Sequence, residues 1–392
     1  MKKVKIFLFL TIIMLLFTTS CGDIKFTTST NKKDDFDLVE FENSVIEVSK
    51  KVENAVIGVT LKGTYSTVIN FKPVESEDVE SIGSGVIYKR IDNYKNDEFV
   101  NYTYYAITNR HVILGNKTDR TYKVYAYLGY EDTEIEATIL GYDKCVDMAV
   151  IKFDSTTKIE PVEFANSDKI EKGQFVIAVG NPDGYEYYGS VTFGVISGTL
   201  RYISDDTDDD GVKDFNATYI QHDASINPGN SGGGLFTTDG KLVGINTLKL
   251  VDDTIDNMGF AIPSNVIKSI ATNYLENGLE VVRPRLGIVG IEVKVLTNAV
   301  IAANGLLELP DIFEGKKYGI YVTEVTQNGT MDATNLQKDD IILSFDGVKL
   351  YNMNELSARL NSLADYRVGS VVKIEYYSRS TNKIVVEEVT LK

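Results

Sequence analysis

From about residue 46 to residue 271 the chain consists of short runs rich in Val, Ile, Thr and Tyr, separated by clusters of Gly, Asp and Asn. Such runs suit a pleated, half-buried surface and the punctuating residues suit tight turns, so the pattern is that of an all-β barrel or sandwich. The clearest strands are 55–61, 85–88, 124–128, 174–179, 218–222 and 241–247. The period then changes, because Val266, Ile267, Ile270, Ala271 and Tyr274 share one face of a predicted helix over 264–275. Ser264 is placed to cap its start, and Gly278 follows its end. With 392 residues, 43% of them hydrophobic, the chain can supply two or three domains with ordinary cores.

Inside this β-rich region one stretch carries chemistry: Asn227-Pro228-Gly229-Asn230-Ser231-Gly232-Gly233-Gly234. Glycines on both sides let the backbone turn sharply and approach a substrate, with amide hydrogens beside the serine oxygen. A serine hydroxyl is a weak nucleophile at neutral pH and needs a base within reach, held in one tautomer by a third group. There are only two histidines, and His111 follows the apolar run 105–108, where a strand ending in a polar turn would present the imidazole at a rim. Asp147 lies among apolar neighbours, where a buried carboxylate is costly unless something hydrogen-bonds it, and an imidazole N–H is such a partner. The order His, Asp, Ser is that of chymotrypsin-like proteases. Gly229-Asn230-Ser231-Gly232-Gly233 also fits the G-x-S-x-G elbow of α/β-hydrolases, but there the histidine follows the serine, and the last histidine here is His222. The elbow reading fails on that order.

Five blocks in sequence resemble the HtrA (DegP-like) family of exported serine proteases. They are Thr108-Asn109-Arg110-His111-Val112, Asp147-Met148-Ala149-Val150, Gly180-Asn181-Pro182, the run from Asp223 through Ser231 to Gly233, and Gly259-Phe260-Ala261-Ile262-Pro263. The resemblance implies a mainly β fold: a chymotrypsin-like double barrel of two six-stranded halves with the site between them, followed by a PDZ (α+β) domain. It implies that Ser231 attacks the scissile carbonyl, that His111 moves the proton, and that Asp147 orients the imidazole. The amides of Gly229 and Ser231 would form an oxyanion hole, with Asn230 shaping the turn, and Ile226 would match the floor of the specificity pocket. No acidic residue occupies that short segment, so small aliphatic side chains are expected there rather than basic ones. No cofactor is implied. The chain departs from the family pattern at Gly234, where a proline is usual, and at His222, where a threonine is common. His222 reads as an exposed strand residue or a second titrating group near the site, and Cys145 as a small buried apolar residue.

Arg283-Pro284-Arg285-Leu286-Gly287-Ile288 resembles the family's PDZ carboxylate loop, with Arg285, Leu286, Gly287 and Ile288 as its core, and 319–325 and 339–347 match the strands that follow. Leu356, Leu360 and Leu363 are expected on the core face of the helix beside the groove. At the other end, Lys2, Lys3 and Lys5 precede an almost wholly apolar run over 6–17, too short to span a membrane and suited to a signal peptide. Thr18-Thr19-Ser20-Cys21-Gly22 resembles a lipoprotein signal, with Cys21 as the lipidated residue. The domain division expected is a signal over 1–20, a polar flexible tether over 21–45, a protease domain over 46–278 and a PDZ domain over 282–392. The net charge of −16 disfavours nucleic acid as a ligand. Asp206, Asp208, Asp210 and Asp214 repeat the opening spacing of a calcium loop, but position twelve is Ala217 instead of glutamate, which favours a solvated acidic hairpin and no metal.

The function expected is an extracytoplasmic, ATP-independent endopeptidase, lipid-anchored on the outer face of the cell membrane and assembled as a homotrimer. It would degrade misfolded exported proteins, with C-terminal peptides captured by the PDZ domain. The alternative is a peptide-binding chaperone or signalling scaffold on a protease fold.

Overall fold

The computed structural model describes residues 37–69, 71–129, 134–182, 184–206, 213, 215–247, 257–313 and 315–392. The leader with Cys21, and Asp208, Asp210 and Asp214 of the acidic loop, lie outside them. Among the described residues no helix is long and apolar enough to cross a membrane. The chain divides into two units, Met1–Glu42 and Asn43–Lys392, and the site belongs to the second.

The apolar runs close into two barrels. The first contains β1 (Val56–Ile69), β2 (Lys72–Lys95), β3 (Glu98–Asn109), β4 (Thr121–Tyr127), β5 (Glu134–Asp143) and β6 (Met148–Ser155), in the order β1-β2-β3-β6-β5-β4. The second contains β7 (Phe175–Gly180), β8 (Ser190–Asp205), β9 (Phe215–His222), β10 (Gly234–Thr237), β11 (Leu242–Thr247) and β12 (Gly259–Pro263), in the order β10-β11-β12-β9-β8-β7. Closure leaves neither sheet an edge that could pair with another chain. Along β7 the pleat divides the side chains: Val176 and Ala178 join Ile196, Ile220 and Val243 in one core, while Ile177 and Val179 join a larger core shared with the first barrel. Burial on both faces explains why these strands read as continuous apolar runs.

Each barrel segment expected as a strand lies inside one or overruns it by a single residue, but β1 and β2 run much further than their apolar parts. Their pairing continues from Val56 opposite Val86 out to Ile69 opposite Lys72, through residues whose charges hid the strand. Those charges pair instead, as Lys62 does with Glu77 at 3.5 Å and Arg120 with Asp78 at 3.1 Å. Asn96 and Asp97, both at positive φ (52° and 66°), form the two-residue turn into β3, the conformation that matches strand twist in a hairpin.

Two expectations at the helices need correction. Residues 38–45, taken as part of the tether, begin helix α1 (Leu38–Glu53). Asp37 accepts from the amides of Val39 and Glu40 at its start, and Val48 and Val52, four residues apart on one face, bury on the core further along. One-turn helix α2 (Arg110–Ile113) follows β3. Helix α3 (Ser264–Asn273) closes the second barrel and ends, through a turn over Leu275–Asn277, at Gly278 with φ 64°. Ser264 does not cap it, because its hydroxyl donates to the Ala165 carbonyl at 2.9 Å.

The C-terminal domain has β13 (Ile288–Glu292), β14 (Ile320–Val325), β15 (Ile341–Phe345), β16 (Val348–Lys349), β17 (Val371–Ser378) and β18 (Lys383–Thr390), with helices α4 (Asn298–Ala303) and α5 (Met353–Ser362). The order is β13-β14-β15-β17-β18, which leaves β13 at an edge, and β16 pairs with β15 through the Asp346-Gly347 turn. Leu356 and Leu360 enter this domain's core as expected. Leu363 does not: it ends α5 in the left-handed region (φ 56°) and is buried in the core of the barrels.

Arg283 completes that junction, with Nη2 on the buried carboxylate of Asp143, Nε donating to the Asn361 carbonyl at 2.9 Å, and the guanidinium over the Phe215 ring. Asn361 Nδ2 in turn donates to the Asn216 carbonyl at 2.8 Å. Removing one partner of a buried ion pair leaves the other charge unpaired. Arg283→Met is therefore expected to lower stability by about 3–5 kcal/mol in urea titrations, and Asp143→Asn in that background to restore part of the loss. Equal midpoints for wild type and Arg283→Met would contradict this account of the junction.

Candidate active site

β3 ends where antiparallel β6 begins, with Asn109 opposite Met148, so residues 110–111 after the one and 146–147 before the other become neighbours. The polar turn expected after β3 is the single helical turn α2, and it holds His111 with its side chain 39% exposed. Asp147 is 4% exposed and in the left-handed region at φ 52°. That conformation turns its carboxylate back to α2: Oδ1 accepts the His111 amide at 3.0 Å and Oδ2 meets His111 Nδ1 at 2.6 Å. Thr247 Oγ1 gives the carboxylate a third contact, at 3.3 Å on Oδ2, and the Asp147 carbonyl takes the Asn109 side-chain amide at 2.9 Å. The desolvation of this carboxylate is thus offset by three donors, one of them the imidazole. With Nδ1 donating to the carboxylate, Nε2 is the ring nitrogen left to accept a proton.

Ser231 lies between β9 and β10 in a turn closed by Asn230 N to the Asn227 carbonyl and Gly233 N to the Asn230 carbonyl, each at 2.9 Å. Gly229 has φ 96° and Gly232 φ 85°, both in the region that favours glycine. A Cβ at Gly232 would lie 2.0 Å from the Ser84 carbonyl, so no side chain fits there. Gly234, the departure from proline, leaves room for the Phe236 ring, which would stand 2.3 Å from a Cβ. Ile226 is partly buried against the second barrel's inner core, alongside Ala224. Cys145, expected buried, is only half-buried on the loop before Asp147.

Two short segments that sequence reasoning missed bring this turn to His111 and Asp147. On one side Gly83 has no room for a Cβ, which would sit 2.6 Å from Val112 and 3.0 Å from the Ser231 carbonyl, so α2 and the serine turn meet across it. Ser84 follows, donating its amide to the Ser231 carbonyl at 2.8 Å. On the other side Asn246 accepts from Gly232 N and donates to the Gly233 carbonyl, while the next residue is Thr247 on Asp147. The only signal for the first segment was its Gly-Ser-Gly spelling; Asn246 and Thr247 carried none.

In the C-terminal domain, Arg285, Leu286, Gly287 and Ile288 line one wall of a groove, with Met353, Leu356 and Leu360 of α5 opposite. Gly287 has φ 74°, and a Cβ there would lie 2.5 Å from Gly329. The groove runs beside the edge strand β13, which suits pairing with an added strand.

Residues 83–245 match the family of trypsin-like peptidase domains, and residues 287–387 match the PDZ domain family. The chain is 33% identical to the serine protease Do-like HtrA of Bacillus subtilis over 340 residues, 86% of this chain and 70% of that protein. It is 34% identical to the serine protease Do-like HtrA of Lactobacillus helveticus over 302 residues, 75% of this chain and 65% of that protein. Among solved structures it resembles the HtrA-type protease AlgW with a decapeptide, with a TM-score of 0.60 and 26% identity over 90% of this chain and 98% of that one.

His222 is a further correction, since it is fully buried between β8 and β12, opposite Ile196 and Gly259. Among the described residues neither ring nitrogen makes a hydrogen bond of good geometry, and the Asn246 side chain and the Ala224 backbone interact with the ring only weakly. Burial pushes its pKa down to about 4 against the weaker opposing pull of the Asp223 charge, Asn246 and the Ala224 backbone. The folded chain therefore holds the ring neutral while the unfolded chain takes a proton near pH 6.5, so stability is lost as pH falls from about 6.5 towards 4. The loss attributable to this ring is at most about 3 kcal/mol. In urea titrations at pH 7.5, 6 and 5, His222→Thr is expected to flatten that slope relative to wild type, and parallel curves would refute the assignment.

Proposed function

This chain belongs to the HtrA family of serine proteases, with a trypsin-like peptidase domain and one PDZ domain, and from that premise we propose that it hydrolyses misfolded or unfolded exported proteins through an acyl-enzyme on Ser231. The observation that carries this reading is the 2.6 Å contact of His111 Nδ1 with a buried Asp147, beside the glycine turn that bears Ser231. His111 Nε2 takes the Ser231 proton as Oγ bonds to the scissile carbonyl carbon, and Asp147 stabilises the imidazolium that results. The carbonyl oxygen becomes an oxyanion received by the amides of Gly229 and Ser231. The C–N bond then breaks, His111 returns the proton to the leaving amine, and water repeats the sequence on the ester. No nucleotide enters these steps, so the reaction is independent of ATP.

Ile226 sets the floor of the specificity pocket, and its apolar side chain favours small aliphatic residues at the cleaved position. The groove between Arg285–Ile288 and α5 takes C-terminal peptides, a reading supported by the peptide in the related AlgW structure. The leader and Cys21 support export and a lipid anchor that holds the enzyme on the outer face of the cell membrane. Assembly as a homotrimer follows from the family resemblance alone.

Ser231→Ala separates a protease from a peptide-binding scaffold. Hydrolysis of unfolded casein is expected to fall by at least about 10⁴-fold, while binding of a fluorescent C-terminal peptide persists. Undiminished cleavage by Ser231→Ala would overturn the proposal.

A further inference from the structure

Ser84 is hydrogen-bonded through its amide, its hydroxyl and its carbonyl, and two of these bonds hold the turn that carries the nucleophile. Its Oγ donates to the Gly229 carbonyl at 2.7 Å and its amide to the Ser231 carbonyl at 2.8 Å. Ser84 is itself fixed, because its Oγ accepts the Asn181 amide at 2.8 Å and its carbonyl accepts from Thr108 Oγ1 at 2.7 Å. The residue is fully buried, and the missing side chains at Gly83 and Gly232 let the two backbones come this close.

The consequence lies in peptide planes. From 229 to 232 each peptide of the turn is pinned: 229–230 by Ser84 Oγ and the Asn227 carbonyl, 230–231 by Gly233 N, and 231–232 by Ser84 N and the Asn246 carbonyl. Ser84 Oγ is the one side-chain anchor among these. It acts on Gly229, a glycine at φ 96° with no Cβ to restrict it.

We propose that Ser84 is a positioning residue for the oxyanion site: its hydroxyl holds the Gly229–Asn230 peptide and its amide the Ser231–Gly232 peptide, so that the peptide between them, which carries the Ser231 N–H, and the Gly229 Cα, from which the Gly229 N–H departs, are both held in place. This deepens the protease reading and rests on it. Without the hydroxyl the Gly229–Asn230 peptide loses its side-chain anchor, and the Gly229 and Ser231 donors on either side of it must be reoriented each time negative charge develops on the substrate oxygen. The loss therefore falls on the transition state and leaves ground-state binding of the substrate chain alone.

The test uses the full chain and two variants, Ser84→Ala and Ser84→Cys, the second close to serine in size but a weak donor. Both are expected to lose about 10- to 100-fold in kcat on casein with KM unchanged within about twofold. The affinity of a peptide boronate, whose adduct carries the tetrahedral charge, is expected to fall in the same ratio as kcat. Far-ultraviolet circular dichroism and thermal midpoints identify which variants are folded. Wild-type kcat in either folded variant, or a loss confined to KM, or boronate affinity that stays at the wild-type level, would overturn the proposal. Failure of the protease reading is told apart by Ser231→Ala, since cleavage that survives that change removes the reaction itself, whatever Ser84 does.

Discussion

A carboxylate buried where two barrels meet sets the terms for everything around it. At 4% exposure the Asp147 side chain needs donors for its oxygens, and it draws them from both halves of the fold: the amide and ring of His111 from the first barrel, the hydroxyl of Thr247 from the second. The same bonds that satisfy the charge orient the imidazole, so the requirement for stability and the requirement for proton transfer coincide. The left-handed backbone at Asp147 is part of this solution, because it aims the side chain back at α2.

Around that contact the architecture works by backbone approach. Gly83, Gly232 and Gly233 stand where a Cβ would strike a carbonyl or a packed side chain, and their absence of bulk allows β2, the serine turn and β7 to touch. The hydrogen bonds across these contacts involve few side chains, chiefly Ser84 and Asn246. Two rigid closed barrels supply the frame, and the reacting groups sit on the short loops between strands, where small shifts in a peptide plane change the chemistry without unfolding the core.

Much of this was legible in the sequence because it is local. His111, Asp147 and Ser231 sit in short patterns that read alone, and their order excluded the rival hydrolase elbow. The apolar runs of strand length pointed to an all-β barrel or sandwich, and the family resemblance implied that there would be two barrels. What escaped detection depends on partners distant in sequence. Ser84 looks like any serine between glycines until residues 145 positions away complete it, and Thr247 matters only through Asp147, 100 positions earlier. The outer halves of β1 and β2 were hidden because their charges pair across strands where no apolar face forms. Of the two alternatives for His222, the exposed strand residue fails for a related reason, since a polar residue type suggests a surface and only the barrel's closure shows it inside. Leu363 has helical spacing with Leu356 and Leu360, yet the left-handed turn at the end of α5 swings it into the neighbouring core.

The central claim is that His111, steadied by Asp147, activates the Ser231 oxygen. Fluorophosphonate labelling of the full chain followed by peptide mass mapping tests it most directly. The account predicts one adduct, on Ser231, which disappears when His111→Ala or Asp147→Ala is labelled under the same conditions. An adduct on another residue, or labelling of Ser231 at an undiminished rate in both variants, would contradict it.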